Sequence, residues 1–189
     1  DSAVENHRLM NEEIDGKEFL FTPEAYNAEH DIADRIKVMV SYPPRQVEIF
    51  QSEVFAFESS NNIVFDEKQR EAIEIAVNKG MLILTGGPGT GKTTIIKCIL
   101  HILKFLKLSY QLCAPTGRAA KRMGEATGEE AKTIHRLLDL DFKDGKGYFT
   151  YNENTKIPVD VVIVDEVSMV DEYVFSSLVK ALQDGATLI

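Results

Sequence analysis

The chain has no tryptophan, only two cysteines among 189 residues, and no long uncharged apolar run. A membrane-spanning helix needs roughly 18 or more consecutive apolar residues, so none is expected here. The opening stretch, DSAVENHRLMNEE, lacks an initiator Met and has no basic segment followed by an apolar one. That excludes a secretory signal and fits a stretch taken from a longer chain. Cys98 and Cys113 have neither C-x-x-C spacing nor neighbouring histidines to complete a zinc site, and nothing in the pair requires an oxidising compartment. Two buried thiols and a cytoplasmic protein are the expectation. Repeats and low-complexity tracts are also absent.

What is present begins with an uneven charge. The net charge is −9, yet residues 1–34 alone carry ten carboxylates against Arg8 and Lys17. Between Gly86 and Arg136 the balance reverses, with nine Lys and Arg facing only Glu125, Glu129 and Glu130. A local positive excess of this kind suits polyphosphate, although the lysines that follow Lys92 on the same helix also read as an ordinary solvated face.

The chain divides near residue 60. Within residues 1–60, Asp15-Gly16 between short apolar runs predicts a tight hairpin. Thr22-Pro23 then opens a helix whose Ile32, Ile36 and Val40 share a face, and Pro43-Pro44 stops it. QSEVFAFESSNN, ending in Ser and Asn, reads as a linker. From residue 61 to 189 helices and strands alternate. Asp66 caps a helix running to Asn78, with Ile73 and Val77 on one face and Lys79-Gly80 as its terminator. MLILT, YQLCA and VDVVIVDE are continuous apolar runs, as expected for parallel strands covered on both faces, and ATLI begins a fourth. The spacing predicts helices after Lys92, after Thr116 and from Asp171 to Leu182. This pattern implies an α/β fold with a doubly wound parallel sheet. One segment breaks the alternation: around residues 141–152, glycines 145 and 147 lie between arms bearing Phe142, Tyr148, Phe149 and Tyr151, which predicts an inserted β-hairpin.

Four constellations carry chemistry. Gly86, Gly87, Pro88, Gly89, Thr90, Gly91, Lys92 and Thr93, followed by Thr94, match G-x-x-x-x-G-K-[ST] between an apolar strand and a helix start. Glycines let backbone N–H groups turn toward a phosphate, the helix N-terminus adds partial positive charge, Lys92 neutralises β- and γ-phosphate oxygens, and the Thr93 hydroxyl suits Mg²⁺. A chance match in a chain of this length has a probability of roughly 1%. The second is Val161 to Glu166, an apolar strand ending in two carboxylates. Asp165 would hold Mg²⁺ and Glu166 would polarise an attacking water. The third is APTGRAAKRM, where Thr116, Gly117 and Arg118 form a donor set for phosphate and Lys121 and Arg122 extend the positive surface. An ordinary helix cap is the alternative for Thr116. The fourth is Thr133-Ile134-His135-Arg136, which offers more donors on a helix, with a purely structural role as the alternative for the lone His135.

Taken in order, FDEKQREAI, GGPGTGKTT, APTGRAAKRM, TIHRLL and VVIVDEVSMVD resemble the first motor domain of superfamily 1 DNA helicases, and most closely the RecD-like family of the exodeoxyribonuclease V alpha subunit. The resemblance implies a RecA-like P-loop NTPase domain over residues 61–189, with the preceding hairpin and helix as a small N-terminal appendage. It implies ATP and Mg²⁺ as ligands, with Gln69 reading adenine. It places Pro115, Thr116, Gly117 and Arg118, and separately Thr133 and His135, on single-stranded DNA. The inserted hairpin resembles the family's pin at a duplex junction. Movement 5′ to 3′ and nuclease partners in a complex are likewise implied, with no membrane role, and oligomeric state stays open.

The family continues past the equivalent of Ile189 into a Gly-Asp-x-x-Gln motif and a second RecA-like domain with an arginine finger. An arginine finger is worth about 10³–10⁵ in rate. These residues alone are therefore expected to bind nucleotide weakly, hydrolyse it poorly and unwind nothing. Two other readings are compatible with the motifs: the helicase half of a conjugative relaxase, and a P-loop module that serves as a nucleotide-binding scaffold. Glu166 is the residue a scaffold would not need.

Overall fold

The computed structural model describes residues 9–44, 47–48, 50–87 and 89–189. Its centre is a four-stranded parallel sheet. The strands are β3 (Tyr110–Ala114), β4 (Ala131–Thr133), β7 (Val161–Val164) and β8 (Thr187–Leu188), in the order β4-β3-β7-β8. Along β7, Val161 and Ile163 enter one core cluster while Val162 and Val164 enter the other. Alternate residues of a strand point to opposite faces, so an unbroken VVIV run is what a sheet buried on both sides requires.

One face is covered by α2 (Phe50–Asn61), α3 (Glu67–Asn78) and α4 (Lys92–Phe105), which contribute Val54, Phe57, Ile73, Val77, Ile99 and Leu103 to the core. The other face carries α1 (Pro23–Ser41), the short α6 (Ile134–Leu137) and α7 (Glu172–Ala181), with Met39, Ile134, Leu178 and Leu182 buried. A further long helix, α5 (Gly117–Thr127), sits against β3 and β4 through a seam of Ala114, Ala119, Ala120 and Ala131. Two antiparallel hairpins lie outside the sheet: β1 (Met10–Ile14) with β2 (Lys17–Phe21), turning at Asp15-Gly16, and β5 (Leu140–Lys143) with β6 (Lys146–Phe149), turning at Asp144-Gly145. The doubly wound α/β architecture and both hairpins follow the sequence pattern.

Four local features differ from it. QSEVFAFESSNN lies in a helix, α2, and not in a linker. Val54, Phe57 and Glu58 are buried at i, i+3, i+4 spacing, while Ser60 and Asn61 bond back to the carbonyls of Ala56 and Phe57 at 2.8 Å each, so the polar tail belongs to the last turn. On α1 Ala28 and Met39 are buried and Ile32 is half-buried against the core, whereas Val40 is 61% exposed. The seam follows α7, which α1 contacts along its length. Gly80 does not end α3 in a left-handed conformation: a Cβ there would lie 2.1 Å from the Met39 carbonyl oxygen, so glycine is required by close approach. MLILT, finally, is an extended segment beside β8. It is joined by Leu82 N–H to Leu188 O at 2.9 Å and Leu188 N–H to Gly80 O at 3.0 Å. Leu82 and Leu84 pack on the core but Ile83 is 70% exposed, because this segment has a pairing neighbour on one side only among the described residues.

Two polar anchors set the helices against each other. Glu58, 5% exposed, accepts from Arg70 Nη2 at 2.5 and 2.7 Å and from the Phe65 N–H at 2.7 Å, which fixes the α2–α3 junction. Arg35 of α1 reaches the C-terminus of α7. It donates to the carbonyls of Val179, Leu182 and Gln183 and, at 2.7 Å, to Asp184. The last carbonyls of a helix have no partner within it, and here a guanidinium supplies one. The same contact holds the Asp184 carboxyl below its usual range.

Arg35→Ala is expected to lower unfolding free energy by about 2–3 kcal/mol in urea titrations, from the loss of charged hydrogen bonds to carbonyls that remain half-buried. Burial pushes both thiols, Cys98 and Cys113, from 9.0 up to about 12. The native protein therefore keeps them neutral while the unfolded chain ionises them near the ordinary thiol range. Stability is expected to be full below that range and to decline as pH rises through it. At pH 8 neither thiol should react with iodoacetamide until the chain is unfolded.

Candidate nucleotide and nucleic-acid site

A parallel sheet sends every strand's carboxyl end to one edge, and the predicted site residues gather there. The extended segment through Leu84 runs into Thr85 and Gly86, the start of the phosphate loop. The loop closes on α4, whose N-cap is Gly91 at φ 83°, ψ 11°. No side chain caps that helix, so its first N–H groups face outward without an internal acceptor, the arrangement that binds anions. Lys92 lies at the first helical position with its ammonium inside the loop, donating to the carbonyls of Gly86 and, at 2.9 Å, Gly87. Thr90 Oγ1 donates to Gly87 O at 2.9 Å. Thr93 and Thr94 follow in the first turn of α4, Thr93 exposed. Pro88 lies outside the described residues.

Gln69 makes two kinds of contact. As the third residue of α3 it completes a capping box, accepting from Asp66 N–H at 3.0 Å while its own N–H donates to Asp66 Oδ1 at 2.9 Å. Its side-chain amide also donates to Thr90 O at 3.2 Å, tying α3 to the phosphate loop. The same amide stands 2.9 Å from where a Cβ on residue 91 would be, a second reason for glycine there.

Asp165 and Glu166 leave the end of β7. Asp165 N–H donates to Cys113 O at 2.9 Å, continuing the ladder with β3, and Asp165 Oδ1 accepts the Glu166 N–H at 2.9 Å. Glu166 takes φ 55°, ψ 39°, a left-handed conformation uncommon for a residue with a side chain. Such outliers cluster where geometry serves chemistry. A cavity of about 700 Å³ is lined by Gly86, Lys92, Thr93, Asp165 and Glu166, and by Arg122 from α5. Arg122 Nη2 lies 3.3 Å from Glu166 Oε1. Sequence reasoning placed Arg122 only on a general positive surface. Its spacing of four from Arg118 puts the two arginines on one helix face, but nothing in the spacing aims that face at β7.

The third and fourth residue groups meet at the ends of neighbouring strands. β3 and β4 pair so that Ala114 is opposite Thr133. Pro115, Thr116, Gly117 and Arg118 therefore emerge beside Thr133 and His135. Both threonines act as N-caps: Thr116 Oγ1 accepts from Ala119 N–H and Thr133 Oγ1 from Arg136 N–H, each at 3.2 Å. Arg118 is exposed at the edge. His135 is also exposed, with its ring 5.9 Å from that of Phe149 on the inserted hairpin. β4 itself escaped the sequence reading, since Ala-Lys-Thr is too short and too polar to register as a strand. Among the described residues no cluster of three His, Cys, Asp or Glu side chains is arranged to hold a metal by itself, and no helix is long and apolar enough to cross a membrane.

A doubly wound parallel sheet with a phosphate loop and an acidic strand end at one edge defines a RecA-like P-loop domain. Comparison with known proteins gives the family. A family model described as an AAA domain matches residues 69–189. The chain is 34% identical over 174 residues to the ATP-dependent RecD2 DNA helicase of Deinococcus radiodurans, which covers 92% of this chain and 24% of that protein. It is 38% identical over 148 residues to the RecBCD enzyme subunit RecD of Mycobacterium tuberculosis, covering 66% of this chain and 25% of that one. The corresponding subunit of Haemophilus influenzae is 36% identical over 146 residues, covering 64% and 22%. The chain belongs to the AAA-domain family and, within it, is RecD-like. It spans about a quarter of the length of these relatives.

Gln69→Ala is expected to lower stability by about 1 kcal/mol through loss of the capping box. It should also speed amide hydrogen exchange at residues 90 and 91, which would lose their tether to α3. Unchanged exchange there would show that the Gln69 contact does not order the loop.

Proposed function

We propose that this chain supplies the nucleotide site and part of the DNA track of an ATP-dependent DNA helicase of the RecD-like type. The observation that carries the reading is the convergence, on one sheet edge, of a phosphate loop with Lys92 and Thr93, the Asp165-Glu166 pair, and two exposed donor groups after adjacent strands.

The chemistry assigned to each residue follows from its placement. The uncapped N-terminus of α4 and the loop amides bind the β- and γ-phosphates, with the Lys92 ammonium adding a full positive charge. Thr93 and Asp165 fit Mg²⁺. This ion prefers one or two protein oxygens beside phosphate and water, and the Asp165 carboxylate has one oxygen beyond that accepting the Glu166 N–H. Bound Mg²⁺ would neutralise charge on the phosphates. Glu166 orients the attacking water by accepting its hydrogen. Gln69 reads adenine: its amide carries one N–H and one lone pair more than its bonds to Thr90 and Asp66 use. Loop residues Gly86, Gly87, Pro88, Gly89, Thr90 and Gly91, with Thr94 behind them, complete the nucleotide cradle.

On the DNA side, Pro115 to Arg118 and Thr133 with His135 contact the backbone of a single strand running across the ends of β3 and β4. Contacts of this type position the strand without reading its sequence. The β5–β6 hairpin next to His135 presents Phe142, 68% exposed, together with Tyr148, and serves as the wedge at a duplex junction. Translocation 5′ to 3′ and association with nuclease-helicase subunits complete the proposal, in keeping with relatives named as RecBCD subunits, and a DNA motor of this kind works in the cytoplasm. The left-handed Glu166 favours an enzyme over a nucleotide-binding scaffold, which has no use for a strained carboxylate at the strand end.

Measured on the whole protein, Glu166→Gln is expected to retain Mg·ATP binding while lowering turnover by about 10²-fold or more. Lys92→Ala should weaken nucleotide binding itself and abolish unwinding. Normal ATP turnover by Glu166→Gln would remove the water-orienting role from that residue.

A further inference from the structure

The two halves of the proposed site are joined by one side-chain contact. Arg122 Nη2 lies 3.3 Å from Glu166 Oε1, and both residues line the cavity shared with Lys92 and Thr93. The carboxylate oxygen engaged by the guanidinium is turned toward α5. An oxygen engaged in that way is less available to accept a hydrogen from water.

Three properties make this contact suited to being broken. First, it is solvent-exposed, with side-chain exposures of 69% for Arg122 and 38% for Glu166. Ion pairs in that setting contribute little to folding, so their loss does not endanger the structure. Second, Glu166 is held in a left-handed backbone conformation, bonded through its N–H to Asp165, and so has a strained starting point from which to relax. Third, α5 rests on β3 and β4 through a seam of Ala114, Ala119, Ala120 and Ala131, and only one large side chain of the helix, Met123, is buried in the core. With Met123 as the one large side chain that α5 sends into the core, a small slide has a single large contact to repack, the type of helix shift that carries many switching transitions.

The same helix begins at the proposed DNA track. Thr116 is its N-cap, and Gly117 and Arg118 form its first turn. Arg118 and Arg122 are four residues apart, on one face and about 6 Å apart along the axis. A strand phosphate engaging Arg118 therefore pulls on a rigid rod whose next arginine on that face grips Glu166.

We propose that Arg122 is a positioning residue for Glu166. It holds the carboxylate toward α5 until single-stranded DNA at the helix N-terminus shifts α5 and frees Glu166 to orient water. This inference rests on the nucleotide and DNA roles proposed above. It assigns the dependence of turnover on DNA to a contact within this domain.

The test uses the whole protein with Arg122→Ala and Arg122→Lys, measuring ATP turnover with and without an oligothymidylate and binding of a fluorescent ATP analogue. Arg122→Ala is expected to raise DNA-free kcat about fivefold or more, the lower end of typical coupling, with KM for ATP and analogue affinity unchanged and the stimulation ratio reduced. Arg122→Lys, which keeps the charge, should lie between Arg122→Ala and wild type. A merely structural role would lower kcat in both conditions and would not be rescued by lysine. An unchanged or lower DNA-free kcat in Arg122→Ala, with wild-type analogue binding and an inactive Glu166→Gln control, overturns this inference and leaves the proposed function standing. Failure of the wild-type protein to bind the analogue, or normal turnover by Glu166→Gln, overturns both.

Discussion

Burial of the parallel sheet on both faces is the constraint from which the rest follows. A strand whose two faces must both be apolar can carry polar chemistry only at its ends, and parallel strands put equivalent ends on one edge. The Val161–Val164 run illustrates this. Its side chains divide between the two cores, and the first residues released from that duty are Asp165 and Glu166. Thr116 after β3 and Thr133 after β4 are released in the same way, and the phosphate loop follows the segment beside β8. The proximity of nucleotide chemistry to the two donor groups is thus a product of the sheet's topology. No separate device is needed to assemble them.

The helices that flank the edge are also tied to it through polar contacts of long reach. The Glu58–Arg70 pair fixes where α3 starts, and the start of α3 is where Gln69 meets Thr90. Arg35, from the acidic N-terminal part of the chain, satisfies carbonyls at the end of α7. Lys180 of α7 in turn bonds Asp31 at 2.9 Å. Asp31, one of the N-terminal carboxylates, thereby helps to hold α1 against the domain. At the carboxyl edge itself the charges within reach of the cavity include Lys92 and Arg122.

Local signals were legible wherever a residue type is demanded by its immediate neighbours. Asp15-Gly16, Thr22-Pro23 and the Asp66 cap each specify a turn or a helix start within three or four residues, and the phosphate loop is recognisable from eight. Signals that depend on distant packing were not. Phe55 is exposed while Phe57 is buried, so the apolar residues of α2 do not mark a clean face, and its Ser and Asn tail imitates a linker. β4 exists because β3 offers it an edge, which no reading of Ala-Lys-Thr alone could reveal. In the site, individual residues could be named from their motifs, whereas the register that sets Ala114 opposite Thr133 and the contact between Arg122 and Glu166 join segments about 20 and 44 positions apart. Those relationships are properties of the fold.

The approach of Met39 to Gly80 has a consequence for how this sequence can vary. Any side chain at residue 80 meets a backbone oxygen of α1, not a side chain that could shrink to accommodate it. A change at residue 80 would have to be matched by moving an entire helix, with Arg35 and its carbonyl partners carried along. The glycine that precedes the phosphate-loop segment is therefore held by the N-terminal helix, and neither region is free to drift in sequence without the other.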